Sequence, residues 1–304
     1  MTYRGLVALL ALCVCPIGLS HGEEVKLDYN DVTLNAELVQ APGKSLGDGA
    51  ILLTHGLLAH GRMEIIDALQ KLLAARGFAS LAPTLSLGLD DRHGMFDCAL
   101  RQRHTHDTAV AEIGVWTAWL KTHGARRIVL AGHSNGGTET ARFAATRLDP
   151  AVVALTLLAP GTWNSTEVAA QYEQTHGMPF APELAYAEAL VASGRGDAIL
   201  EDVAFLQCDH AWVSAASFIS YYGNDPMLDT PRLLARIVPP VLVIAAGRDQ
   251  IVRDLPKRIG PLADGRNVTL VTIDGADHFF RNLYAEDAAD AIVRFLRPIL
   301  QEAP

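Results

Sequence analysis

From residue 24 onward, short apolar runs of β type alternate with longer amphipathic stretches, the rhythm of a mainly parallel sheet covered by helices on both faces. Residues 33–39 alternate apolar and polar positions, as a half-exposed edge strand does. Runs 50–54, 79–82, 128–131, 152–159 and 241–246 are almost continuously apolar, which predicts central strands buried on both sides, and 268–273 completes the sheet. Helical periodicity covers 63–76, 107–121, 135–148 and 285–300, the last expected to end near Pro298. The span 161–237 is far longer than one crossover needs and is rich in Ala, Tyr, Glu and other helix formers, so it reads as a helical cap inserted into the sheet protein. The core then comprises 23–160 and 238–304, with Pro239-Pro240 marking the return to it.

The first residues belong to a different pattern. Arg4 precedes an apolar run from Leu6 to Val14 and then a small-residue stretch, Gly18-Leu19-Ser20-His21-Gly22, which reads as a secretory signal over residues 1–22. Cleavage after Ser20 or after Gly22 fits equally well. The run is too short for a membrane span, so an exported chain, periplasmic or secreted, is expected. Signal removal takes Cys13 and Cys15 with it and leaves Cys98 and Cys208, an even pair bound for an oxidising compartment. They would either bridge or sit as two buried free thiols.

Composition narrows the partners. The 304 residues are 50% hydrophobic and 19% charged, which is globular rather than disordered. A net charge of -9 leaves no broad basic face for phosphates, so nucleic acid and anionic membranes are not expected as partners.

The chemistry gathers at strand ends. Run 128–131 leads into Gly132-His133-Ser134-Asn135-Gly136 and then into a helix, so a G-x-S-x-G sequence occupies a strand-to-helix turn. A turn that sharp strains the serine and requires glycines at 132 and 136, where side chains would clash. A serine hydroxyl is a weak nucleophile at neutral pH and needs a base within hydrogen-bond reach. His278, in Asp277-His278-Phe279-Phe280 just past the last strand, is the candidate. Its other nitrogen needs an orienting carboxylate. Asp249, in Gly247-Arg248-Asp249 directly after run 241–246, is preferred to Asp277, which adjoins the histidine and more naturally shapes its loop.

With Thr54-His55-Gly56, the serine turn, Gly247-Arg248-Asp249 and Asp277-His278 in this order and each after an expected strand, the chain resembles the α/β-hydrolase superfamily, in particular its serine esterase, monoacylglycerol lipase and serine aminopeptidase-like branch. The resemblance covers nearly the whole mature chain. It implies an oxyanion hole formed by the backbone N–H groups of Leu57 and Asn135, with His55 as local support for Leu57, and a small-molecule acyl substrate hydrolysed without a cofactor. Peptide or thioester cleavage, carbon–carbon bond hydrolysis or lysis, and a non-catalytic binding role are the rival expectations.

Two further groups draw attention. Asp90-Asp91-Arg92-His93 and His104-Thr105-His106-Asp107 carry metal-binding residue types, yet no zinc-like spacing, so no metal site is expected and Thr105 or Asp107 should cap the next helix. Among the cap aromatics Trp163, Tyr172, Tyr186, Phe205, Trp212, Phe218, Tyr221 and Tyr222, a minority should face the pocket. Asp209-His210 reads as loop polarity.

Overall fold

Strands with no polar face have only one place to go, between two layers of helices. The computed structural model describes residues 22–301; the expected signal, apart from Gly22, lies outside them. In chain order the elements are β1 (Glu23–Tyr29), β2 (Val32–Val39), β3 (Ala50–Thr54), α1 (Glu64–Ala75), β4 (Ala79–Thr84), β5 (Arg101–Gln102), α2 (His106–Thr122), β6 (Ile128–His133), α3 (Asn135–Arg147) and β7 (Val152–Leu158). There follow α4 (Ser165–His176), α5 (Phe180–Ala192), β8 (Ile199–Phe205), β9 (Cys208–Ser214), α6 (Ala215–Tyr222), α7 (Thr230–Leu234), β10 (Val241–Ala246), α8 (Leu255–Ile259), β11 (Val268–Ile273) and α9 (Tyr284–Gln301).

Among the described residues the main sheet has eight strands in the order β1-β2-β4-β3-β6-β7-β10-β11. β1, β2 and β4 pair antiparallel, and every pairing from β4 to β11 is parallel. Alternation along the strands divides the core in two. Leu52, Leu130, Leu155 and Val243 face Ile113, Trp116 and Leu120 of α2, whereas Ile51, Leu53, Val129 and Ile244 face Ile66 and Leu69 of α1 and Ile292 and Leu296 of α9. The parallel strands therefore all deliver their C-terminal ends to one edge, where ligands of open α/β sheets bind.

Three local differences from the sequence reading have physical causes. β1 escaped notice because its residues are mostly charged; it is an outer hairpin strand, turned at Asn30 with φ 52°. The helix α9 continues through Pro298 to Gln301 rather than stopping there. In the insert, helices α4, α5 and α6 are joined by an antiparallel hairpin, β8–β9, and β9 also pairs with β5 to make a three-stranded sheet. Glu201 and Asp202 interrupt the apolar alternation that would have shown β8. This small sheet and the helices share their own apolar cluster, including Tyr172, Phe180, Leu190, Phe205, Phe218 and Tyr221.

Candidate active site

β6 ends at His133 and α3 begins at Asn135, so the whole reversal falls on Ser134, which adopts φ 55° and ψ −126°. A non-glycine residue with positive φ is strained, and the strain is held by its surroundings. Ser134 N–H donates to the Leu158 carbonyl at 2.9 Å. The glycines on either side are obligatory: a Cβ on Gly132 would lie 2.4 Å from the Gly136 oxygen, and one on Gly136 would lie 2.1 Å from the His55 oxygen. Two chain segments thus touch backbone to backbone beneath the serine.

His278 follows β11 and points one nitrogen at each partner. Its Nε2 is 2.8 Å from Ser134 Oγ and its Nδ1 is 2.8 Å from Asp249 Oδ2. Asp249 follows β10, and its Oδ1 accepts N–H bonds from Ile251 at 2.7 Å and Val252 at 2.9 Å. Burial alone would raise the Asp249 carboxyl, but the hydrogen bonds from His278, Val252 and Ile251 outweigh it and hold it below the ordinary carboxylate value. Asp277 faces away from this line. It accepts from Phe279 and Arg281 N–H at 3.1 and 3.3 Å and pairs with the Arg281 guanidinium at 3.1 Å, so it shapes the histidine loop. An imidazole between a hydroxyl and a buried carboxylate can take the hydroxyl proton and return it.

Beside the serine, the loop after β3 packs Gly56 so tightly that a Cβ there would be 3.3 Å from Ser134 Cβ. The N–H of Leu57 meets no acceptor among the described residues, and that of Asn135, first in α3, has no intrahelical acceptor. His55 is buried beneath this loop, with Nδ1 2.7 Å from the Gly56 oxygen and Nε2 accepting the Leu85 N–H at 3.0 Å. Burial, with Arg92 nearby, pushes it down to about 3, so the ring is a neutral strut. Arg92 itself is buried and spends its guanidinium on the carbonyls of Leu85, Gly94 and Ala59. His133 donates its Nε2–H to the His278 carbonyl at 2.8 Å, and burial lowers it to about 4.

A cleft of about 610 Å³ opens between α4 and the loop after Asp249. Leu57, Val168, Tyr172, Leu206, Tyr222 and Ile251 give it an apolar floor, and it reaches the site at Leu57 rather than at Ser134 itself. The hydroxyls of Tyr172 and Tyr222 are occupied by the Ala204 carbonyl and the Leu206 N–H, so the two residues offer ring surface. Of the other cap aromatics, Phe205, Phe218 and Tyr221 are buried in the cap and Tyr186 and Trp212 face solvent.

The metal-type residues disperse. His104 bonds Tyr221 and Gln102, His106 bonds Glu139, Asp107 pairs with Arg142, and Thr105 caps α2. Among the described residues Glu24, Asp91 and His93 come together on the surface, where Lys26 already holds Asp91. Asp209 and His210 turn to different partners, His176 and Asp202. Cys98 and Cys208 are joined, with Cα atoms 5.5 Å apart, tying the segment before α2 to the cap hairpin. The sequence reading missed Glu139, a buried carboxylate one turn beyond Asn135; its local signal was a charged residue among the Gly, Thr and Ala that open α3.

A model of the alpha/beta hydrolase family matches residues 51–295. Est1E from Butyrivibrio proteoclasticus superimposes with a TM-score of 0.68 at 19% identity, covering 92% of this chain and 99% of that one. The monoacylglycerol lipase of Paleococcus ferrophilus gives 0.60 at 22% identity over 86% and 98%. Dienelactone hydrolase from Anabaena variabilis gives 0.57 at 17% over 93% and 100%. None of the curated protein sequences matches the chain.

Proposed function

The chain belongs to the alpha/beta hydrolase family, and from that premise we propose that it is a serine hydrolase of carboxylic esters acting by two-step acyl transfer. One observation carries this reading, the unbroken line Ser134 Oγ, His278, Asp249 with both contacts at 2.8 Å. His278 Nε2 takes the hydroxyl proton as Ser134 Oγ bonds to the ester carbonyl carbon. The carbonyl oxygen becomes an oxyanion received by the N–H groups of Leu57 and Asn135. As the carbon–oxygen bond to the alcohol breaks, His278 gives that proton to the departing oxygen. Water then attacks the acyl-serine, with its proton going to His278 and on to Ser134 Oγ, and the acid leaves. The chemistry calls for no cofactor.

An ester is favoured because the cleft is the size of a small or medium ligand and sets apolar groups and two tyrosine rings beside polar ones such as Asn164, Gln171 and Gln250, a lining suited to a substrate with an apolar part and a polar part. Est1E has also been solved with ferulic acid bound, at 20% identity to this chain, which makes hydroxycinnamate esters a reasonable first substrate class to assay. Export is part of the same reading, supported by the signal pattern over residues 1–22 and the Cys98–Cys208 bond.

A fluorophosphonate probe should label Ser134, and Ser134→Ala should abolish labelling and lower kcat by about 10⁴-fold or more. Chromogenic esters and hydroxycinnamate esters should be hydrolysed faster than aminoacyl amides. Turnover of amides alone would overturn the esterase reading.

A further inference from the structure

Glu139 is a charged residue that the reaction does not use, in a place where a charge is costly. It is 2% exposed, and its Oε2 is buried with no hydrogen-bond partner among the described residues. A carboxylate shut away from water and only partly bonded destabilises a fold, and an alanine would suit both the helix and the burial better. A costly charge at this place therefore points to a task.

The task is visible in its other oxygen. Oε1 accepts from Asn135 Nδ2 at 2.9 Å and from the His106 ring Nδ1 at 3.1 Å. Asn135 and Glu139 stand four residues apart on α3, so the bond runs along one face of its first turn. Because a carboxylate can only accept, the Asn135 amide is held with its nitrogen inward and cannot flip. His106 is fixed in turn from the cap: its N–H donates to Ser220 Oγ at 3.0 Å, and its ring centroid lies 4.2 Å from that of Tyr221. Ser220 and Tyr221 belong to α6, and the Tyr221 hydroxyl is 2.9 Å from His104. A buried polar chain thus runs from the cap through His106 and Glu139 to the residue next to Ser134. Glu139 has no hydrogen bond to Ser134 or His278.

Resting on the reading of Asn135 as an oxyanion donor, we propose that Glu139 is a positioning residue, which locks the first turn of α3 so that the Asn135 N–H stays aimed at the developing oxyanion. His106 transmits the seating of the cap to that turn. Binding of the uncharged ester makes little use of this aim, whereas the oxyanion depends on it, so the effect belongs in kcat and not in KM.

The test uses the full mature chain with an ester it turns over and a trifluoromethyl ketone, whose adduct with serine carries an oxyanion. Glu139→Ala should lower kcat by about tenfold to a hundredfold, with KM within about twofold, and weaken the ketone by the same factor, less than the roughly 10²–10³-fold lost with an oxyanion donor itself because the donor stays and only its aim is loosened. Glu139→Gln keeps an acceptor oxygen and should recover most of kcat. Asn135→Ala should lose a similar factor, and the double variant should be no worse than either single one, since both break the same link.

A folded Glu139→Ala chain with full kcat, additive losses in the double variant, or losses confined to KM or melting temperature would each overturn the proposal. Should Glu139→Ala not fold, Asn135→Ala with unchanged kcat overturns it alone. A wild-type chain that neither reacts with fluorophosphonate nor hydrolyses esters would sink the proposed function and this inference together, whereas an active wild type with active variants sinks only the inference.

Discussion

Around Ser134 the atoms that hold the chain in place are backbone: Gly136 against the His55 carbonyl, Gly132 against the Gly136 carbonyl, Ser134 N–H on the Leu158 oxygen. In the insert the holding atoms are side chains. Tyr172, Phe180, Phe205, Phe218 and Tyr222 meet ring to ring at centroid distances of 4.9 to 6.4 Å, and one disulfide fastens the hairpin. Backbone contacts have no rotamers through which to relax, so Gly132 and Gly136 admit no side chain. Side-chain packing can be rebuilt with other residues of similar volume. The part proposed to perform chemistry is fixed by geometry, and the part that lines most of the cleft is freer to vary.

This contrast can be broken in three ways. The largest effect should come from Gly136→Ala, whose new Cβ cannot avoid the His55 carbonyl. We expect a loss of more than about 3 kcal/mol, beyond ordinary overpacking, in chemical denaturation, together with loss of fluorophosphonate labelling. A variant that keeps both would show the turn to be softer than its contacts imply.

Replacing Cys98 and Cys208 by serine should cost about 2–4 kcal/mol, because the bond closes a long loop, yet Ser134 should still be labelled at room temperature. Loss of labelling in the folded double variant would mean that cap and serine turn are not separately held.

The effect that is smallest at neutral pH is a slope that opens as pH falls. Burial holds His104, between Tyr221 and Gln102, down to about 3 in the folded chain. Between about pH 6.5 and pH 3 the unfolded chain binds this proton and the folded one does not, so stability falls as pH falls, by about 1.4 kcal/mol per unit. His104→Gln should flatten that part of the curve measured by denaturant midpoints. An unchanged slope would assign the loss to the core histidines His55 and His133, which are also held low.

Much of this was legible in the chain, and what was not has a common cause. Runs 50–54 and 241–246 coincide with β3 and β10 because strands shielded on both faces can carry little but apolar residues, and 268–273 coincides with β11, an edge strand that keeps its β-branched residues and carries no charge. Ser134, Asp249 and His278 could be singled out because each follows an apolar run that ends at one edge of the sheet, and the fold brings the three side chains together. β1 and β8 were not, since strands at edges tolerate the charges that erase their period. Cys98 and Cys208 could be paired only by arithmetic until the fold brought them together. Glu139 was missed for another reason: Asn135 stands four residues before it on the same helix, but His106 comes from α2, and no local pattern encodes the packing of the two helices.

One feature of the insert bears on how such a protein can change over time. Its two ends meet on a single core side chain: Gly161 N–H donates to Thr138 Oγ1 at 2.9 Å, the Thr230 hydroxyl donates to the same atom at 3.2 Å, and Thr230 N–H reaches the Gly161 carbonyl at 3.3 Å. A segment whose ends are neighbours behaves as a module on a fixed socket. Lengthening it changes the closure entropy only logarithmically, by about 0.6 kcal/mol per doubling, and leaves the path of the core untouched. New substrate preferences can therefore arise by exchange of one module, provided the replacement keeps the ties that Cys98, β5 and His106 make with it.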